Sequence, residues 1–151
     1  MSRRVLLALG SNLGDRRRLL REAVDSLPGV TKVSGVYETD PVGGPAEQGK
    51  YLNLVVAIES AATARQLLGM CHRLEAAAGR VRGVRWGPRQ LDVDILWIDG
   101  ETIDEPDLQV PHPRMGARRF VMVPLLDVAP DIVPDGWEDH AEGWVRPVDP
   151  L

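Results

Sequence analysis

The chain has 151 residues, 44% hydrophobic and 26% charged, the composition of one soluble domain with a single core. Cys71 is its only cysteine, which excludes an internal disulfide or a cysteine-rich zinc site and points to a reducing cytoplasm. No stretch approaches the roughly 20 apolar residues of a membrane span, and a net charge of −4 argues against a general nucleic-acid coat. The expectation is a mature, soluble, cytoplasmic protein.

In chain order, the apolar run 5–9, closed by Gly10-Ser11-Asn12-Leu13-Gly14, predicts a buried strand leaving into a loop. Asp15 then caps a helix whose residues Leu19, Leu20, Ala23, Val24 and Leu27 recur at helical spacing until Pro28-Gly29 stops it. Residues 30–38 read as one strand around Val33, Val36 and Tyr37, and 39–50 as a loop rich in Gly and Pro. Residues 51–59, dense in β-branched side chains, predict the next strand. Thr63 and Gln66 have the spacing of a capping box for a second helix through Leu67, Leu68, Met70, Cys71 and Leu74, stopped by Gly79. Cys71 is thus a small core residue. An Arg and Gly loop over 80–90 precedes a strand over 91–98, and Asp99-Gly100 marks a turn into another short extended piece. Beyond Pro111 come a turn, a short helix over 124–128 and a proline-rich acidic tail. The order β, α, β, β, α, β is that of a split βαβ, ferredoxin-like α+β domain: an antiparallel sheet with helices packed on it, to which the last third adds as a C-terminal extension. Residues 1–151 are expected to form a single domain.

Charge is unevenly spread. Residues 80–119 hold seven arginines and no lysine, whereas residues 127–151 hold seven acids and only Arg146. The planar fork of arginine suits phosphate oxygens better than a lysine point charge does.

The most informative stretch is Arg85-Trp86-Gly87-Pro88-Arg89-Gln90-Leu91-Asp92-Val93-Asp94. Successive side chains on a strand alternate faces, so Asp92 and Asp94 share one face, continued by Leu96 and Ile98, while Leu91, Val93, Ile95 and Trp97 share the other. Two carboxylates about 4 Å apart repel by roughly 4 kcal/mol at an effective dielectric of about 20, so a cation belongs between them. A hard ion such as Mg²⁺ takes one or two carboxylates and completes its shell with water and substrate phosphate. Arg80, Arg82, Arg85 and Arg89, just before the acids, complete a metal and phosphate constellation. In Val110-Pro111-His112-Pro113 the flanking prolines fix the chain direction at His112. Arg118 is a further candidate phosphate ligand, and Phe120, the only Phe, a candidate stacking surface. Gly44-Pro45-Ala46-Glu47-Gln48-Gly49-Lys50 fits the start of a Walker A loop, but Tyr51 stands where Ser or Thr would bind magnesium, a strand follows where a helix should, and Glu47 would repel a phosphate.

Four blocks, in order, resemble the 6-hydroxymethyl-7,8-dihydropterin pyrophosphokinases of folate biosynthesis. They are Ala8-Leu9-Gly10-Ser11-Asn12-Leu13-Gly14-Asp15; Tyr37, Thr39 and Pro41 with Tyr51-Leu52-Asn53; the Arg85 to Asp94 stretch; and Val110-Pro111-His112-Pro113 with Arg118 and Phe120. The resemblance implies transfer of the β,γ-diphosphate of ATP to the primary hydroxyl of the pterin, with release of AMP. It implies Asp92 and Asp94 as ligands of two Mg²⁺ ions, and Asp92, Asp94, Arg82 and Arg89 as the catalytic residues. Around ATP it implies Glu75, Arg80, Arg82, Arg85, Trp86, Arg89, Ile95, His112 and Arg118, with residues 80–89 on a mobile loop that closes over the nucleotide. The pterin would lie between Tyr51 and Phe120, with Thr39, Pro41, Val42 and Asn53 at its edge. His72 stands where related sequences often carry Gln, and Asp40 where some carry proline. The expected partners are small-molecule pterin and ATP, with no nucleic acid and no membrane, and a monomer is expected. A nucleic-acid-binding module on the same frame would need exposed aromatics where this chain has Asp92 and Asp94. A non-catalytic relative would have no need of both acids and Arg89.

Overall fold

The computed structural model describes residues 1–40, 49–79 and 90–151. Strand β1 (Arg3–Ser11) is fully buried at Val5, Leu6 and Leu7, so both of its faces are covered. Asp15 caps α1 (Arg16–Ser26) by accepting the Arg18 N–H. The chain then turns at Gly29 with φ +71, where a Cβ would lie 2.3 Å from the Glu59 carbonyl oxygen, so only glycine fits.

The single strand expected over 30–38 is two strands, β2 (Val30–Val33) and β3 (Val36–Thr39). Ser34 lies between them. Its N–H donates to the Val55 carbonyl at 2.9 Å, and its Oγ accepts the Val55 N–H at 2.9 Å and donates to the Gly35 carbonyl at 2.7 Å. A side chain thus stands in for a ladder bond, a substitution that apolar periodicity does not report.

Strand β4 (Tyr51–Ser60) leads to α2 (Ala64–Ala77), which opens on both halves of the expected capping box, Thr63 with Gln66. After β5 (Asp92–Ile98), a separate two-stranded ribbon forms from β6 (Ile103–Glu105) and β7 (Leu108–Val110). Helix α3 (Arg119–Val128) and β8 (Val145–Val148) complete the chain. The main sheet runs β5-β1-β4-β3-β8, with β2 also on β4, and every pairing is antiparallel. This is the ferredoxin-like frame that the element order predicts.

One face of the sheet packs Leu7, Leu9, Leu54 and Val56 against Leu20 of α1 and Leu67 and Cys71 of α2. The other packs Leu6, Val55 and Leu96 against Met122, Leu125 and Val128 of α3. The last third is therefore more than an appendage, since α3 covers the second face and β8 extends the sheet beyond β3. Helix α3 also begins earlier than the expected 124–128 and takes Pro124 into its interior. An interior proline costs about 3 kcal/mol, but burying Val121 and Met122 returns roughly 1.5–3 kcal/mol each. Tertiary contact thus overrides the local rule.

A bulge in β5 corrects a second expectation. The register with β1 shifts between Leu6 and Leu7, so Leu6 faces Trp97 and Leu7 faces Ile95. Alternation breaks at the extra residue, Leu96. Trp97 joins Leu96 on the α3 side, and Ile98 returns to the side of α1 and α2. No helix among the described residues is long and apolar enough to cross a membrane.

Gly29 and Gly100 share a left-handed φ, +71 and +77, but nothing lies within 4 Å of a Cβ built on Gly100. Urea denaturation should show Gly100→Ala costing about 1–2 kcal/mol and Gly29→Ala about 2–5 kcal/mol, because a backbone oxygen must also move. Cys71 is buried, and that burial, aided by Asp94 and Glu75, pushes its thiol up to about 12. Iodoacetamide at about pH 8 should leave the native protein unmodified and label Cys71 only after denaturant is added.

Candidate active site

The sheet face toward α3 carries most of the candidate residues because of its register. Tyr37 pairs with Asn53, Asn53 with Gly10, and Gly10 with Asp92, so these four form one row across β3, β4, β1 and β5. Thr39 pairs with Tyr51 on the same face. Gly10 keeps the middle of the row clear, since a Cβ there would sit 2.6 Å from Asn53 Oδ1 and 3.4 Å from Tyr51 Cδ1. Asn53 and Thr39 are both buried, and Asn53 Nδ2 donates to Thr39 Oγ1 at 2.6 Å. The Tyr51 hydroxyl donates to Asp92 Oδ2 at 3.5 Å. An amide, a hydroxyl, an aromatic ring and a carboxylate are thus fixed on one surface.

Asp94 lies on the same face two residues further along β5 and is exposed, while Asp92 is half-buried. Between them, the Val93 N–H donates to Glu75 Oε2 of α2 at 3.0 Å. The two acids are oxygen-only donors, and no cluster of three or more His, Cys, Asp or Glu side chains suited to a metal occurs among the described residues. Such a pair fits Mg²⁺, which is held by few carboxylates and leaves positions for phosphate and water, better than a closed zinc site.

The bulge helps to bring His112 to Asp94. The Leu96 carbonyl accepts the His112 N–H at 2.9 Å, which ties the loop after β7 to the outer edge of β5. The Val110–Pro111 peptide just before it is cis. His112 Nδ1 accepts the Arg114 N–H at 3.1 Å, so the neutral ring carries its proton on Nε2. Burial lowers the His112 pKa below its usual range; Arg118 and Arg114 act in the same direction and Asp94 opposes them. Arg118 is also lowered, by burial first. Its guanidinium lies 5.4 Å from the centroid of the Phe120 ring, which sits in the first turn of α3. Asp127, further along α3, accepts from the Tyr37 hydroxyl at 2.6 Å and from the Gly35 N–H at 3.0 Å, anchoring the helix to β3. Burial and this carboxylate together push Tyr37 up to about 12.

Beside β5 opens a cavity of about 510 Å³. Leu68, His72 and Glu75 of α2 form one wall, Val93, Asp94 and Ile95 the floor, Pro106 to Gln109 the opposite wall, and His112, Pro113, Arg114 and Arg118 complete the lining. The structure therefore gathers Glu75, Asp94, Ile95, His112 and Arg118 around one space, with Asp92, Tyr51, Asn53 and Thr39 on the adjoining sheet face. Phe120 is half-buried and packs against the second core cluster. Pro41, Val42, Arg80, Arg82, Arg85, Trp86 and Arg89 lie outside the described residues. Sequence reasoning missed the wall from Pro106 to Gln109 and the Asp127 anchor. The alternation of buried Leu108 and Val110 around exposed Gln109 was the available signal for the wall.

A family model described as 7,8-dihydro-6-hydroxymethylpterin-pyrophosphokinase (HPPK) matches residues 6–130. Two relatives bear the name 2-amino-4-hydroxy-6-hydroxymethyldihydropteridine pyrophosphokinase. The one from Bacillus subtilis is 46% identical over 131 residues, covering 83% of this chain and 78% of its own. The one from Pseudomonas aeruginosa is 43% identical over 142 residues, covering 90% and 87%. Among solved structures, wild-type HPPK-DHPS of Plasmodium falciparum with SDX-DHP aligns with a TM-score of 0.62 at 14% identity, over 85% of this chain and 40% of that one, a likeness of fold. With a family match from the first strand to the end of α3 and relatives this similar over most of their length, the chain belongs to the 7,8-dihydro-6-hydroxymethylpterin-pyrophosphokinase family.

Proposed function

We propose that the chain transfers the β,γ-diphosphate of ATP to the hydroxymethyl group of 6-hydroxymethyl-7,8-dihydropterin, releasing AMP, as a step of folate biosynthesis. What supports this most is that Asp94, His112 and Arg118 line one cavity while Asp92, on the same strand face as Asp94, stands in a row with Asn53 and accepts from Tyr51, in a chain of this family.

Each residue would act through a stated physical property. The cavity would take the nucleoside, with Ile95 as apolar floor and Glu75 at the α2 wall. His112, neutral near pH 7, would donate from Nε2–H to a phosphate oxygen, and Arg118 would add a fixed positive charge beside it. Asp92 and Asp94 would hold two Mg²⁺ ions, which supply charge neutralisation along the triphosphate. Tyr51 and Phe120 would offer ring faces to the pterin. Asn53, Thr39, Pro41 and Val42 would meet its hydrogen-bonding edge. Arg80, Arg82, Arg85, Trp86 and Arg89 would close over the nucleotide, with Arg82 and Arg89 at the transferred group. Diphosphate transfer asks chiefly for in-line placement and charge stabilisation, which this set of groups is suited to provide. In this reading the chain acts as a one-domain monomer in the cytoplasm.

With ATP, Mg²⁺ and the reduced pterin alcohol, chromatography should show AMP and pterin diphosphate rising in equal amounts; ADP in place of AMP would rule the reaction out. Asp92→Ala and Asp94→Ala should each lower kcat by about 10²–10³-fold or more. Circular dichroism should show both variants folded, because Asp94 is exposed and Asp92 half-buried. Near-normal turnover in either variant would remove the paired-acid role.

A further inference from the structure

One wall of the cavity is not paired into the main sheet. Strands β6 and β7 pair with each other as a sheet of their own, three residues to a strand, and a two-stranded ribbon has little stability in water by itself. One strand of it, β7, is anchored along its length, with Leu108 and Val110 buried in the core at 6% and 1% exposure. The turn that joins β6 to β7, through Pro106 and Asp107, is exposed and lines the cavity opposite Leu68 and His72.

Arg65, in the first turn of α2, reaches this turn. Its Nη1 donates to Asp107 Oδ2 at 2.7 Å and its Nη2 to Asp107 Oδ1 at 2.9 Å, a two-point fork. Nη2 also donates to Glu105. Arg65, Leu68 and His72 follow one another at helical spacings of three and four, so the helix stripe that forms one wall also grips the other. The pairing holds the Asp107 carboxyl below the usual carboxylate range. It also offsets the charge of two acids that would otherwise repel a polyanion at the rim.

We propose that Arg65 is a positioning residue for the nucleotide site: by clasping the tip of the β6–β7 ribbon it sets the width and charge of the cavity that receives a nucleoside triphosphate. The inference rests on the nucleotide reading of that cavity given above. An exposed ion pair adds little to global stability, so the effect is local, lowering the fraction of molecules whose ribbon is docked and hence the apparent affinity.

The test compares steady-state kinetics and amide hydrogen exchange of the wild type with Arg65→Ala, Arg65→Lys, Asp107→Ala and the double alanine variant. In Arg65→Ala, KM for ATP should rise about three- to tenfold, while kcat and the pterin KM change by less than about twofold. Exchange should quicken over residues 103–110 and stay unchanged in β1 and β4. Arg65→Lys should recover only part of the loss, because lysine cannot form the fork. Adding Asp107→Ala to Arg65→Ala should raise KM no further, since both remove the same contact. An unchanged KM for ATP in Arg65→Ala, a fall confined to kcat, or additive effects in the double variant would overturn the clasp while leaving the nucleotide reading intact. A wild type that neither binds nor consumes ATP would remove that reading, and the clasp with it.

Discussion

The bond between the Val93 N–H and the Glu75 carboxylate organises the site. β5 is an edge strand, so every second N–H points away from β1 and must find a partner or water. At Val93 that partner is a side chain of α2, buried at 5% exposure and 3.0 Å away. A buried hydrogen bond to a carboxylate contributes about 1.5–3 kcal/mol, and here it links α2 to the residue between the two acids. The direction in which Asp92 and Asp94 point therefore depends on a helix nearly twenty residues earlier in the chain.

From this strand outward, the candidate site is assembled by edges and irregularities. The Leu96 bulge reverses the alternation of β5, and the Leu96 carbonyl holds the His112 loop against the strand. Bulges commonly re-aim side chains beside functional clefts. His112 thus faces Asp94, and the charges of Arg118 and Arg114 bear on the same imidazole. On the far side, Ser34 and Gly35 break the long strand, and Asp127 of α3 ties that break to Tyr37. Two interruptions, one on each side of the sheet, bracket a regular central row of Tyr37, Asn53, Gly10 and Asp92.

The C-terminal third has a role that its composition conceals. It is proline-rich and acidic, yet α3 supplies Met122, Leu125 and Val128 to close the second face of the sheet. That closure stands Phe120 and Arg118 beside the sheet face that holds Tyr51 and Asp92. Without α3, Leu6, Val55 and Leu96 would lie open to water, and the arginine would have no fixed place.

Much was legible from local rules. Asp15, the Thr63–Gln66 box and the alternation of Asp92 and Asp94 are statements about neighbouring residues, and each appears as expected because caps and pleats are set within a few residues. The strand break at Ser34, the bulge at Leu96, the early start of α3 and the tie between Arg65 and the turn at Asp107 were not legible. Each is decided by a distant partner: Val55 for Ser34, β1 for Leu96, the sheet face for Val121 and Met122, and Arg65 for Asp107. Sequence alone determined which residue types could hold a polyanion and a flat heterocycle. Only tertiary structure decided which of them meet, because burial and long-range hydrogen bonds outweigh local preference wherever the two conflict.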